Sequence, residues 1–251
     1  MNIDITKYKD LFVERLGTSE DGYMITTKLL DIFPINCYLF ADINSIFLSP
    51  NKKITKIPKI IHSKIPNYIT INGIFMNTDT NSNKIKNNNI LGDNSIFYCD
   101  MDSIKIPIID CNNELLYIYN SRVIDHGEIF QIHNKSEMPF FEIDIGKKYK
   151  SDYLLQEGLG DGFYMEIHDT PHLHQPSNYN SNGFVVLGKK YKNSILLSKV
   201  QIPYGKILYI PSNVYHSDSL LTGVYNVMYT KAIHYQTYLF KTFDNKIVNV
   251  E

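Results

Sequence analysis

A mainly β fold is what the sequence predicts, on three observations. Short runs rich in β-branched and aromatic residues recur from about residue 37 to the end of the chain. Asn, Asp, Gly and Pro punctuate them, and no long helical periodicity interrupts the second half. The 251 residues suffice for one large core or two modest ones, and all-β units of this length are often single.

The opening of the chain is the exception. In YKDLFVERL, Tyr8, Leu11, Phe12 and Leu16 fall at helical spacing, and TTKLLDIF predicts a second short helix. From there the strand signals are CYLFADI, SIFLSP, YITINGIFM, SIFYCDM, ELLYIYNSRVI and EIFQIHN. Residues 77–94, NTDTNSNKIKNNNILGDN, offer almost nothing to bury and read as an exposed loop. Residues 51–64 are lysine-rich and read as a solvated surface segment.

In the second half, GFYMEIHD, GFVVLGKKY, SILLSKVQI, GKILYIP, YNVMYTKAIHY and TYLFKTF read as six strands with turn chemistry between most of them. Short antiparallel strands at that spacing predict a closed or nearly closed barrel or sandwich. The expected organisation is a β-rich region over residues 1–124, with one or two short helices, and a barrel over 125–251. The first region is either a degenerate barrel or an extension of the second region's sheets. An exposed sheet edge in such a fold is commonly covered by a second copy, so a homodimer is expected.

Composition narrows the partners. A net charge of −1 gives no electrostatic reason to expect nucleic acid or an anionic membrane. No apolar run approaches the roughly 20 residues of a spanning helix, and the first residues lack a signal-peptide core, so a cytoplasmic protein is expected. Cys37, Cys99 and Cys111 have no CxxC spacing and read as free buried thiols. Only Arg15 and Arg122 represent arginine, while Lys, Asn, Ile and Tyr abound, the bias of an AT-rich genome such as that of a giant virus or certain protists. For a viral protein the expected location becomes the host cytoplasm or the virion.

The chemistry concentrates in two segments. TPHLHQP, residues 170–176, places His172 and His174 on one face of an extended segment, because strand side chains alternate. IPYGKILYIPSNVYHS, residues 202–217, reads as a turn, a strand, a break at PSN, and His216 at the start of the next strand. Three neutral imidazoles suit Fe, Mn, Ni, Cu or Zn and leave positions for water and substrate.

The pattern Gly205-x5-Pro211-x4-His216 resembles the second motif of the cupin superfamily, and His172-x-His174 stands where the first motif places its histidines. GFVVLGKK between them resembles the strand and turn that close the first motif. The resemblance covers roughly residues 125–240. It implies a jelly-roll barrel in which His172, His174 and His216 converge on one divalent transition metal, iron foremost. The glutamate usual after HxH is missing: aligned on Gly188, Ser181 stands there, with Asn180 and Asn182 beside it. Three ways remain open. The site has three histidines, with Gln175 or an Asn amide as a weak ligand; or Glu166 or His168 on the preceding strand supplies the fourth group; or the metal is lost.

Tyr209, Tyr215 and Asp218 are the candidate catalytic groups. Tyr164, Asn226 and Tyr229 also lie on strands expected to line or flank the barrel, and Lys189, Lys199 and Lys231 could meet an acidic substrate. His62, His126, His133 and His234 are expected to be surface or core histidines. The resemblance implies an Fe(II) dioxygenase or oxygenase acting on a small organic molecule. A histidine stands where 2-oxoglutarate enzymes place an acid, which favours a three-histidine type. The other readings are a sugar or nucleotide-sugar isomerase or epimerase working by a His/Tyr acid–base pair, and a non-enzymatic ligand-binding or structural protein.

Overall fold

The structure is a computed structural model that describes residues 5–16, 23–55, 64–77 and 93–251. His62, with most of the lysine-rich segment, and residues 78–92 of the polar stretch lie outside them. Among the described residues the chain forms nineteen strands. They begin with β1 (Glu14–Arg15), β2 (Met24–Phe33), β3 (Tyr38–Ala41), β4 (Ile46–Leu48), β5 (Ile69–Asn77) and β6 (Asp93–Cys99). The next are β7 (Ser103–Ile104), β8 (Ile108–Ile109), β9 (Arg122–Asp125), β10 (Ile129–Gln131), β11 (Met138–Ile145), β12 (Tyr164–His168) and β13 (His172–Pro176). The last are β14 (Asn182–Tyr191), β15 (Ser194–Val200), β16 (Lys206–Ile210), β17 (Tyr215–Met228), β18 (Tyr235–Thr242) and β19 (Asn249–Val250).

The fold is mainly β, and its largest sheet runs β1-β2-β11-β17-β12-β18-β6-β5-β15-β14, with β14 pairing again to β17. The pairings that leave β17 through β12 therefore return to it through β14. Strands from both sides of residue 125 share this sheet: β5 and β6 lie between β18 and β15. Off that path but in the same sheet, β13 pairs with β17 and β16, β16 with β9, and β8 with β15, while β10-β3-β4 and β19-β7 form two smaller sheets.

Three local expectations need correction. TTKLLDIF is not a helix. It belongs to β2, which pairs with β11 from Met24↔Ile145 to Phe33↔Met138 with two register shifts. A helical stripe eight residues long cannot outweigh a full ladder of cross-strand bonds. ELLYIYNSRVI is not one strand: Asn113–Leu116 is α-helical, and Tyr117–Tyr119 continues it as a 3-10 turn. The Asn112 side chain accepts from Leu115 N at 3.0 Å, and Asn120 ends the turn at φ 56°. That asparagine cap is a start signal the strand reading passed over. YNVMYTKAIHY is likewise divided, between the end of β17 and the loop that leads into β18. At the opening of the chain, Ile5–Leu11 forms a 3-10 helix before the backbone extends into β1.

β17 positions the site. Residues 215–222 pair with β14, and β12 joins it at His216; residues 223–228 pair with β11, and β13 joins at Tyr225–Met228. The handover falls at Gly223, whose φ of +91° favours glycine, and a Cβ there would stand 2.9 Å from Ser181 Cα. Ser181 itself is tied to this corner, its hydroxyl donating to Val224 O.

Apolar side chains fill three buried clusters. One surrounds Phe141, Tyr149 and Tyr225; a second is built on Phe97, Phe163 and Phe240; a third packs Phe33, Phe130 and Phe140 under the small sheet. The three cysteines are free, and burial pushes the Cys37 thiol up to about 11 and the Cys111 thiol to about 12. Among the described residues no helix is long and apolar enough to cross a membrane.

Candidate metal centre

β12 alternates its side chains, so Tyr164, Glu166 and His168 share a face. Glu166 lies directly across from His216 on β17. Their side chains meet, His216 Nε2 standing 3.1 Å from Glu166 Oε1. β13 delivers His172 from the other stretch of β17, and its Nδ1 lies 3.0 Å from the same His216 Nε2. His168 completes the group: one ligand atom each from Glu166, His168, His172 and His216 lie within 4.8 Å of one another, and all four residues are buried.

The donor atoms fit a transition metal. Glu166 Oε1, His216 Nε2 and His172 Nδ1 are separated by 3.1, 3.0 and 3.9 Å. A triangle with those sides has a circumscribed radius of about 2 Å, the length of a metal bond to imidazole nitrogen or carboxylate oxygen. His216 donates its Nδ1–H to Val214 O at 2.9 Å, which leaves Nε2 as a lone pair facing a carboxylate and a second imidazole. Such a set is repulsive unless a proton or a cation lies inside it. His168 Nδ1 is held at 3.1 Å by the Thr170 hydroxyl, the outer hydrogen bond that ligand imidazoles need.

The electrostatics agree. Burial pushes the Glu166 carboxyl up, but the hydrogen bond and charge of His216 outweigh it and bring the group down to about 2. Burial and the neighbouring His216 bring His168 to about 4, and burial and His174 hold His172 well below its ordinary value. His216 moves the other way, because the Glu166 bond outweighs its burial. His168 and His172 are thus kept uncharged, as ligation requires, while His216 and Glu166 share a proton that a cation would displace.

Of the histidines the motifs name, the structure brings His172 and His216 together. His174 is fully buried beside them, its ring 4.4 Å from that of His172, but it is not one of the four clustered donors. Neither of its nitrogens has a partner among the described residues, and the same holds for His172 Nε2. Orphaned buried nitrogens cost about 1–3 kcal/mol each, which marks this region as one shaped around a partner. Both groups offered for the extra position, Glu166 and His168, belong to the cluster. Ser181 is occupied at the β17 corner, and the Gln175 amide donates to Asp42 O at 2.8 Å, away from the histidines.

The cluster borders a cavity of about 580 Å³, lined by Glu166, His168 and His172 and, from the start of the chain, by Asp10, Leu11 and Arg15. Asp218 lines it too, and Tyr164 donates to its Oδ1 at 2.9 Å. Arg15 Nη1 donates to Tyr164 at 3.0 Å and to Tyr149 at 3.1 Å. The 166↔216 register makes Tyr164 and Asp218 the next pair along the two strands, so this chain lies one tier, about 7 Å, from the donor cluster.

Tyr215 and Tyr209 are not at the cavity. Alternation turns Tyr215 to the opposite face of β17 from His216, where its ring sits 6.1 Å from Tyr238 and 6.2 Å from Phe75. Tyr209 lies under the Arg122 guanidinium at 5.1 Å. Tyr215→Phe and Tyr209→Phe are therefore expected to bind metal with wild-type stoichiometry and affinity, and a tenfold loss on titration would contradict these placements. Tyr229 and Lys231 do line the cavity. Lys189 is exposed, Lys199 lies over the Phe184 ring at 4.8 Å, and Asn226 donates to Asn44 O at 2.8 Å. His126, His133 and His234 are exposed.

Sequence reading missed Arg15 as a cavity wall and Tyr235, whose hydroxyl donates to Glu166 Oε2. Both reach the site through long-range strand pairing, which leaves no local signal. Set against known proteins, the chain matches no family model, no curated protein and no solved structure.

Proposed function

We propose that this chain is a metal-dependent enzyme acting on a small organic molecule, with Glu166, His168, His172 and His216 holding one divalent transition metal on a cupin-like jelly roll. Iron is the foremost metal for this nitrogen-rich set, ahead of Mn, Ni, Zn and Cu. The observation that carries the reading is the convergence of four buried donors, three of which, Glu166, His168 and His172, line a cavity large enough for a small molecule. An oxygenase, with O₂ and substrate meeting at the centre, is the reaction class we favour.

When bound, the metal would supply Lewis acidity and a site for O₂ or a substrate oxygen. The chain's own residues do the rest. Glu166 lowers the net charge of the centre. Leu11, Met24 and Ile143 exclude water on one side of the cavity. Asp218, its Oδ1 fixed by Tyr164, faces the same space and is the group assigned to take a proton from substrate.

A second reading has one observation in its favour. Tyr229 and Tyr235 line the cavity beside His168 and His172, a His/Tyr set that could move protons on a sugar without metal. Elemental analysis and oxygen uptake separate the two. The oxygenase reading expects about one iron per chain and oxygen consumption with at least one member of a metabolite panel. No bound metal, with thermal stabilisation by a nucleotide-sugar, would replace it with the isomerase.

A further inference from the structure

Tyr235 touches two of the four clustered donors, and nothing in the motifs points to it. It opens β18, directly across from His168 on β12. The two rings stack, with centroids 5.3 Å apart and planes 10° from parallel. From there the phenol reaches diagonally to the residue two positions back, where its hydroxyl donates to Glu166 Oε2. The other carboxylate oxygen, Oε1, faces His216 and His172 at 3.1 and 3.9 Å. Each oxygen of Glu166 therefore has a separate task.

We infer that Tyr235 is a positioning residue that confines Glu166 to coordination through one oxygen and so keeps a second exchangeable position open at the cavity. The inference rests on the metal reading above. A carboxylate near a cation binds through one or both oxygens, and the outer hydrogen bond decides which. With Oε2 engaged by Tyr235, only Oε1 is offered. Four protein donors around a cation with about six positions then leave two for small molecules. Release of Oε2 lets it turn inward and leaves one. The same ring, stacked on the face of His168 while the Thr170 hydroxyl meets its Nδ1 edge, sets the rotation of His168. Tyr235 also lines the cavity, so its hydroxyl holds the carboxylate at the point where substrate would arrive.

The test uses the full chain loaded with Mn²⁺ and reads water-proton relaxation, which reports exchangeable water on the ion independently of activity. Tyr235→Phe keeps the ring and removes only the hydroxyl. It should still bind about one ion, with the inner-sphere relaxivity per ion reduced about twofold. Glu166→Gln provides the control background. An amide does not chelate as a carboxylate does, so adding Tyr235→Phe to it should change relaxivity little, whereas a merely structural effect would recur in both backgrounds. Unchanged relaxivity in Tyr235→Phe, or an equal drop in both backgrounds, overturns the positioning role while leaving the metal centre standing. Wild-type protein that takes up no Mn²⁺, Fe²⁺ or Zn²⁺ overturns the centre and Tyr235's role together.

Discussion

His216→Ala should strip the centre of metal. His216 Nε2 is the atom the others gather on, 3.1 Å from Glu166 Oε1 and 3.0 Å from His172 Nδ1. Metal held by about four donors at a total of about 10–16 kcal/mol loses about 3–4 kcal/mol with one of them, a several-hundredfold drop in affinity. Purified protein should fall from about one ion per chain to a small fraction. The variant also leaves the Glu166 carboxylate buried without its imidazole partner, a loss of about 3–5 kcal/mol when one member of a buried pair is removed. Metal content and apo-protein melting should therefore both fall. Retention of stoichiometric metal would mean that the ions bind elsewhere.

Gly223→Ala is expected to be strongly destabilising for so small a change. At φ +91° an L side chain is strained, and the new Cβ would meet Ser181 Cα at 2.9 Å and Asn180 O at 3.2 Å, both backbone-borne and unable to swing aside. Left-handed strain of about 1–2 kcal/mol and overpacking of about 1–3 kcal/mol combine to about 2–5 kcal/mol. For a chain of this size that corresponds to a fall of about 5–15 °C in Tm. Gly127 makes the comparison, because its φ is +88° but nothing lies within 4 Å of a Cβ there. Gly127→Ala should show the conformational cost alone. Equal shifts in the two variants would show that the β17 corner is not tightly built. The corner also bears on function, since it lets one strand serve both the His216 and the His172 sides of the cluster.

The mainly β class was legible because β-branched runs and turn residues report strands directly. His172 and His216 were legible for a similar local reason: one pair lies within a three-residue pattern, and the other histidine follows a turn, a strand and a break. Glu166 and His168 were visible only by parity across DTP. That parity does not run from β12 into β13, because the two strands sit on different stretches of β17. Their side chains converge through β17 instead. Tyr235 and Arg15 were invisible for the same reason, since they act across 69 and 149 residues of sequence. The helix expected at TTKLLDIF failed because β11 offered a complete ladder that no local periodicity could reveal. Tyr215 stands one step of alternation from His216 and so lies on the other face of β17, beside Tyr238 and Phe75.

An anomalous difference map, recorded at the absorption edge of the metal the purified protein carries, tests the centre most directly. The expected result is a single peak within bonding distance of Glu166 Oε1, His172 Nδ1 and His216 Nε2, with His168 turned toward it. A map with no peak there, or with His216 Nε2 and Glu166 Oε1 bonded only to each other across a shared proton, would contradict it.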